Sequence, residues 1–298
     1  MTMAAIVDAR RDRRFFAPIV PGAYDRGMIE LAGVRLERPR AAASLLTGVD
    51  LSVGRGEVVL VSGGAGAGTS TLVAALYGDV APVEGRVALF GRELGRLRRS
   101  SLLALRRRLG VVPQDLQLLP ECSALANVVL PLEIDHVPRR DAEARATAAL
   151  EQVGMSDDAL VPVANLSMAA RQKVAVARAL VRQPSVIVAD QPTAHQDADG
   201  AERIATALAT AADHGAAVLI TARDAHLLAA AARRSWRQLM IHGGRLIDVT
   251  DVVSFDVDVD IDVDDNEELV IETTEAPVEE AVPNVIVFPL SARSRGAR

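Results

Sequence analysis

The chain has 298 residues, 50% of them hydrophobic and 3% aromatic, with a mean hydropathy of +0.20. A chain of this length builds one large domain or two small ones, with a core made mostly of Ala, Val and Leu. Its single cysteine, Cys122, excludes internal disulfides and fits a reducing compartment, and no apolar run approaches the roughly 18 residues of a membrane span. The net charge of −6 is unevenly spread. Residues 251–280 hold thirteen Asp and Glu and no Lys or Arg, whereas residues 1–250 carry 30 basic against 26 acidic side chains. The acidity therefore belongs to the C-terminal segment.

Residues 1–27 read as a loose extension. Their start, "MTMAAIVDARRDRRFF", turns charged before an apolar stretch forms, unlike a secretory signal. Ordered patterning opens with "MIELAGVRL" and "VDLSVGRGEVVLVSG". The valine-rich run Glu57–Ser62 ahead of glycines predicts a buried strand. "TSTLVAALYG" predicts a helix packed through Leu72 and Leu76 and ended by Gly78. "LRRSSLLALRRRLGVVPQD" predicts a basic helix, a strand and a loop. "RRDAEARATAALEQVGM" predicts an amphipathic helix stopped at Gly154, and "AARQKVAVARALVRQP" another closed by Pro184. "SVIVAD" and "AAVLITARD" read as buried strands around the helix "AERIATALATAADHG", and "LMIHGGRLIDV" as a closing hairpin. Strands alternating with helices predict an α/β fold with a mainly parallel sheet.

The segment Gly63–Thr71, "GGAGAGTST", lies between the predicted strand and helix. In that context backbone N–H groups and a helix N-terminus attract phosphate, and Gly63, Gly66 and Gly68 permit the tight, positive-φ path. The alternative is a glycine-rich turn with no ligand. The lysine expected after the last glycine is replaced by Thr69, and Lys173 is the only lysine of the chain. A charge-assisted phosphate contact contributes about 1.5–3 kcal/mol, so its loss weakens binding by about one to two decades.

In order along the chain, "GGAGAGTST", "VVPQDLQLLP", "NLSMAARQKVAVARAL", "VIVADQPT" and "VLITARD" resemble the motifs of the nucleotide-binding subunit of ABC transporters. The look is nearest to the cell-division and lipoprotein-release or macrolide-export group, and it covers roughly residues 28–248. The resemblance implies a P-loop NTPase (RecA-like) core, an antiparallel β subdomain and a helical signature subdomain at about 115–175. It also implies ATP and Mg²⁺ as ligands, with Gly63, Gly66, Gly68, Thr69, Ser70 and Thr71 at the phosphates. Ser70, Gln114 and Asp190 match the metal shell; the plainer reading of Asp190 is a strand-end acid capping the next turn.

Other positions depart from the family pattern. Gln191 stands where the family has its catalytic glutamate, and a neutral amide orients a water without accepting its proton. Arg223 stands at the histidine that contacts the γ-phosphate; it is either a substitute cation or a surface arginine. Ser167 survives in the signature "LSMAA", but Met168 and Ala169 replace its two glycines, adding Cβ atoms that obstruct approach to phosphate. Asp197 matches an aspartate at the dimer interface. The upstream stretch "VRLERPR" offers Arg38 and no aromatic residue for adenine. The expectation is a subunit with weak nucleotide binding and little turnover; the alternatives are an active ATPase subunit acting in a composite heterodimer site and a soluble regulatory scaffold that keeps only the fold. It would lie in the cytoplasm, peripheral at the inner face of the membrane, and pair with a second ATP-binding subunit, either another copy of itself or a different one. A permease would contact it through residues 115–134.

Arg98, Arg99, Arg106, Arg107 and Arg108 sit on one predicted helix. Without interleaved aromatics they read as a solvated basic face, not a nucleic-acid site. The segment 249–298 reads first as a disordered acidic tail. Its stretch "FDVDVDIDVDD" alternates with strand period, so an edge strand is the second reading.

Overall fold

The computed structural model describes residues 27–37, 44–250, 269–272 and 285–288. In chain order the strands and helices begin with β1 (Ile29–Glu37), β2 (Ser44–Val53), β3 (Val58–Gly63), α1 (Thr69–Leu76), β4 (Glu84–Leu89), β5 (Arg92–Glu93), α2 (Arg99–Arg106) and β6 (Leu109–Val112). They continue with α3 (Ala124–Ile134), α4 (Arg139–Gln152), α5 (Met168–Leu180), β7 (Val186–Asp190), α6 (Ala198–Asp213), β8 (Ala217–Ala222) and α7 (Ala225–Arg233). The hairpin β9 (Arg237–His242) and β10 (Arg245–Asp248) follows, then β11 (Leu269–Glu272) and β12 (Val285–Phe288).

A four-stranded antiparallel sheet has the order β2-β1-β4-β5. On β1 the inward residues are Ile29 and Leu31, then Val34 and Leu36. The skipped residue falls where the register slips, beside Gly33 at φ +58°. A Cβ on Gly85 of β4 would meet the Gly33 carbonyl oxygen at 2.3 Å, so the crossing of these strands admits only glycine there.

The second sheet has the order β10-β9-β3-β8-β7-β6. It is parallel except for the β9–β10 hairpin, as the alternation of strands and helices predicts. Its central strands are buried on both faces, which is why they read as unbroken apolar runs. Alternate residues feed two cores. Leu60, Ile187, Val218 and Ile220 pack with α3–α7, while Val59, Val61, Val188 and Leu219 pack with α1 and the antiparallel sheet. Each such Val, Leu or Ile contributes about 1.5–3 kcal/mol by leaving water. Parallel strands place their carboxyl ends on one edge, so the segments following β3, β6, β7 and β8 lie together there.

Helices α3 and α7 were not separately read from the sequence. Ser123 starts α3, its hydroxyl accepting from the Ala126 N–H at 3.1 Å. In the acidic segment β11 and β12 pair antiparallel, Leu269 opposite Phe288. The alternating stretch 255–263, Arg38 and most of the N-terminal extension lie outside the described residues.

Candidate nucleotide site

The glycine loop runs from the end of β3 into α1. Gly66 has φ +77° and Gly68, which begins the helix, has φ +105°, values that a side chain would strain, whereas Gly63 ends β3 without the positive φ expected of it. The Ala67 N–H donates to the Gly64 carbonyl at 3.1 Å and the Leu72 N–H to Gly68 at 2.8 Å. The loop is tightly backed: a Cβ on Gly63 would stand 3.1 Å from Ala67 Cβ and 3.4 Å from the Thr69 methyl. Thr69 is only 1% exposed and brings no charge to the loop.

Ser70 and Gln114 come together, the serine hydroxyl donating to Gln114 Oε1 at 3.2 Å. Asp190 ends β7 and is 3% exposed. Its Oδ1 accepts the Thr221 hydroxyl at 2.6 Å from the neighbouring strand β8. Thr221 was not singled out from sequence, because nothing local marks a strand threonine as the partner of an aspartate 31 residues away. Gln191 follows Asp190 at φ +49°, an unfavourable region for a glutamine. Its N–H donates to the Thr221 carbonyl at 3.0 Å and to the Thr221 hydroxyl at 3.1 Å.

Arg223 is the first residue after β8. It is exposed and makes no ion pair among the described residues. The adjacent Asp224 is fully used: Oδ1 accepts the Leu227 N–H at 2.9 Å to start α7, and Oδ2 accepts the Thr193 hydroxyl at 2.7 Å. Ser167 starts α5, its hydroxyl accepting from the Ala170 N–H at 3.1 Å. Asp197 starts α6 in the same way with Gly200, at 2.8 Å. Met168 at the signature position is 46% exposed.

The segment after Gln114 is held from below. Leu116 and Gln117 have φ +58° and +46°, and half-buried Arg178 of α5 donates to both carbonyls at 2.5 Å. Burial pulls the Arg178 guanidinium below its ordinary value, with Asp115 opposing. At the end of α1, burial followed by the charges of Asp79, Asp115 and Asp190 pushes the Tyr77 phenol up. Asn127, fully buried on α3, accepts the Leu119 N–H at 2.8 Å and donates to the Leu119 and Ser123 carbonyls, each at 3.0 Å. This closes the 119–123 turn. Leu119 is 45% exposed, and Leu160 is 77% exposed on a segment bonded to that turn through Cys122–Val163 and Ala124–Val161.

The basic helix α2 needs a correction. Arg106 is a structural anchor, donating to the Tyr77 carbonyl at 2.8 Å and pairing with Asp79 at 2.6 Å. Arg108 lies 4.3 Å over the Phe90 ring. Arg98, Arg99, Arg107 and Arg108 itself are exposed as expected.

A glycine loop between a buried parallel strand and a helix now stands beside a hydroxyl, an amide and a buried carboxylate on the same sheet edge. That combination defines a P-loop NTPase-type cassette. The family model described as "ABC transporter" matches residues 46–194. The chain is 39% identical over 220 residues to the lipoprotein-releasing system ATP-binding protein LolD of Pseudomonas syringae pv. tomato, covering 72% of this chain and 94% of that protein. It is 38% identical over 164 residues to the methionine import ATP-binding protein MetN of Mesorhizobium japonicum, covering 55% of this chain and 45% of that one. Among solved structures, the dimeric ABC transporter cassette MJ0796 superposes with a TM-score of 0.67 at 28% identity, over 74% of this chain and 96% of that one. The same cassette has been solved bound to ADP and phosphate, with the same measures of likeness. The chain belongs to the ABC transporter ATP-binding family.

Proposed function

We propose that this chain is an ATP-binding subunit of a membrane transport or cell-envelope complex that binds nucleotide weakly and turns it over slowly or not at all. One observation carries the reading: the scaffold is kept while contact positions are altered together. The loop retains its positive-φ glycines, but Thr69 is buried and uncharged. Gln191 holds its backbone place at the end of β7, yet its amide cannot take a proton from water. Met168 and Ala169 put side chains where bare backbone would approach a phosphate on a facing subunit.

The loop N–H groups and the start of α1 fit the phosphates of ATP, without the usual lysine. The metal donors fit Mg²⁺: Ser70 and Gln114 present oxygens 3.2 Å apart. Neighbouring ligands of an octahedral Mg²⁺, each at about 2.1 Å, are roughly 3 Å apart. Asp190 would add one carboxylate. Among the described residues no cluster of three or more His, Cys, Asp or Glu competes as a metal site. When bound, the ion would offset phosphate charge.

The names of LolD and MetN support a role in transport, and the dimeric cassette MJ0796 supports pairing of two such subunits. Paired with its own copy, every composite site would lack the lysine, the carboxylate and the signature glycines together. Paired with an unaltered subunit, one site would be quiet and the other impaired. The 115–134 region, with exposed Leu119 and Ile134, is the surface we assign to a permease. Among the described residues no helix is long and apolar enough to cross a membrane, which fits a peripheral place at the inner face. Purified chain with Mg-ATP should show turnover at background, unchanged by Asp190→Asn.

Arg223, exposed and without an ion pair among the described residues, favours a second reading, an active ATPase in which this cation substitutes for the lost lysine. Turnover abolished by both Asp190→Asn and Arg223→Ala would establish it and overturn the first.

A further inference from the structure

Behind the signature turn lies a chain of buried side-chain amides that the nucleotide chemistry does not use. Gln196, 7% exposed, donates through Nε2 to the Ala169 carbonyl at 2.8 Å and to Gln172 Oε1 at 3.1 Å. Gln172, 4% exposed on α5, also accepts the His195 N–H at 3.1 Å. Its own Nε2 donates to the Gln191 carbonyl at 3.2 Å. Two segments distant in sequence are thereby joined: α5, from its first turn at Ser167–Ala169 to Gln172, and the 191–197 segment after β7.

The fit is specific to the amide of Gln196. A Cβ on Gly200 would stand 2.4 Å from Gln196 Oε1 and 2.9 Å from Asp197 Oδ1, so a side chain at that point of α6 would displace the Gln196 amide from its place. Gln172 donates and accepts and Gln196 donates twice, each at fixed places, and a buried acceptor left without its donor is costly. Gln191, at φ +49°, is held by this chain on its carbonyl side and by Thr221 on its N–H side.

We propose that Gln196 and Gln172 form an amide clasp that fixes the Ser167–Ala169 turn against the end of β7, so that the surface bearing Ser167 and Met168 is held in one arrangement without nucleotide. Both are positioning residues. That this surface meets a second subunit rests on the proposed function; the clasp itself does not, and its test uses no nucleotide.

The test is amide hydrogen exchange on the full chain, comparing the native protein with Gln196→Met, which keeps the volume and removes both bonds. Exchange should rise about tenfold in 166–171 and 191–197 together, while the central strands 58–63 and 217–222 keep their rates. Gly200→Ala should reproduce the effect by displacing the amide it leaves in place, and Gln172→Glu should loosen 191–197 by removing the donor to Gln191. These variants also stand in if Gln196→Met fails to fold. A rise matched by the central strands would mean general destabilisation and overturn the clasp. So would unchanged exchange in 166–171, or a change in only one of the two segments in Gln196→Met.

Discussion

Across the β7–β8 pair, the Thr221 hydroxyl donates to Asp190 Oδ1 at 2.6 Å while its oxygen accepts the Gln191 N–H at 3.1 Å. One buried threonine therefore orients the acid at the strand end and helps hold the next residue in a left-handed conformation. Thr221→Val keeps the shape and removes the hydroxyl. It leaves a 3% exposed carboxylate short of a donor, and should destabilise the protein by about 1–3 kcal/mol in urea unfolding. Unchanged stability would mean that Asp190 is satisfied elsewhere.

Restoring charge to the loop should restore affinity before turnover. Thr69→Lys should tighten ATP by about one to two decades in calorimetry, the range of a charge-assisted bond. Turnover should stay at background in that variant, because Gln191 still offers no base. Adding Gln191→Glu supplies the carboxylate, and hydrolysis should then become measurable when an unaltered subunit provides the facing signature. Rapid hydrolysis by the single Thr69→Lys variant would contradict the role assigned to Gln191.

Arg178 is the only described side chain that donates to both Leu116 and Gln117 carbonyls, at two positive-φ residues just after Gln114. Arg178→Met should release that turn, raising exchange over 114–119 and costing about 1–3 kcal/mol. Arg178→Lys should recover little. A single ammonium does not reproduce the two-pronged geometry of a guanidinium.

Glu202 on α6 pairs with Arg233 at 2.9 Å and with Arg234, tying α6 to α7. The hydrogen bond from Arg234 is the largest influence on its carboxyl, and with Arg233 it outweighs burial to hold it below the ordinary value of 4.5. The folded pKa is thus lower than the unfolded one. The stabilisation is complete above the unfolded value and is lost as pH falls through the folded one. Glu202→Gln should therefore unfold more easily than the native chain at neutral pH. The difference should be small, reduced by salt and closed in strong acid, because the pair is partly exposed. A difference that persists at low pH would assign it to packing.

Local pattern made much of the fold legible. Strand β3, the glycine loop and α1 are adjacent in sequence, and the apolar runs of β7 and β8 announce burial on both faces. Gly66 and Gly68 stand where positive φ is required, and the losses at Thr69 and Gln191 are visible as residue types. Arg106 and Arg108 show where such reading fails. Arginines of one predicted helix look alike in sequence, but Asp79 anchors Arg106, while Arg108 lies beyond the end of α2, exposed and over the Phe90 ring.

The sequence by itself therefore determined the alternating architecture, the motif order and the chemistry missing from the phosphate loop, since each is written in neighbouring residues. Tertiary structure alone decided which polar groups satisfy one another: Thr221 with Asp190, Arg178 with the turn after Gln114, and Gln196 with Gln172 and Ala169. Hydrogen bonds are short and directional, and their partners here are separated by 24 to 62 residues. Only the packed sheet and helices bring those atoms within reach.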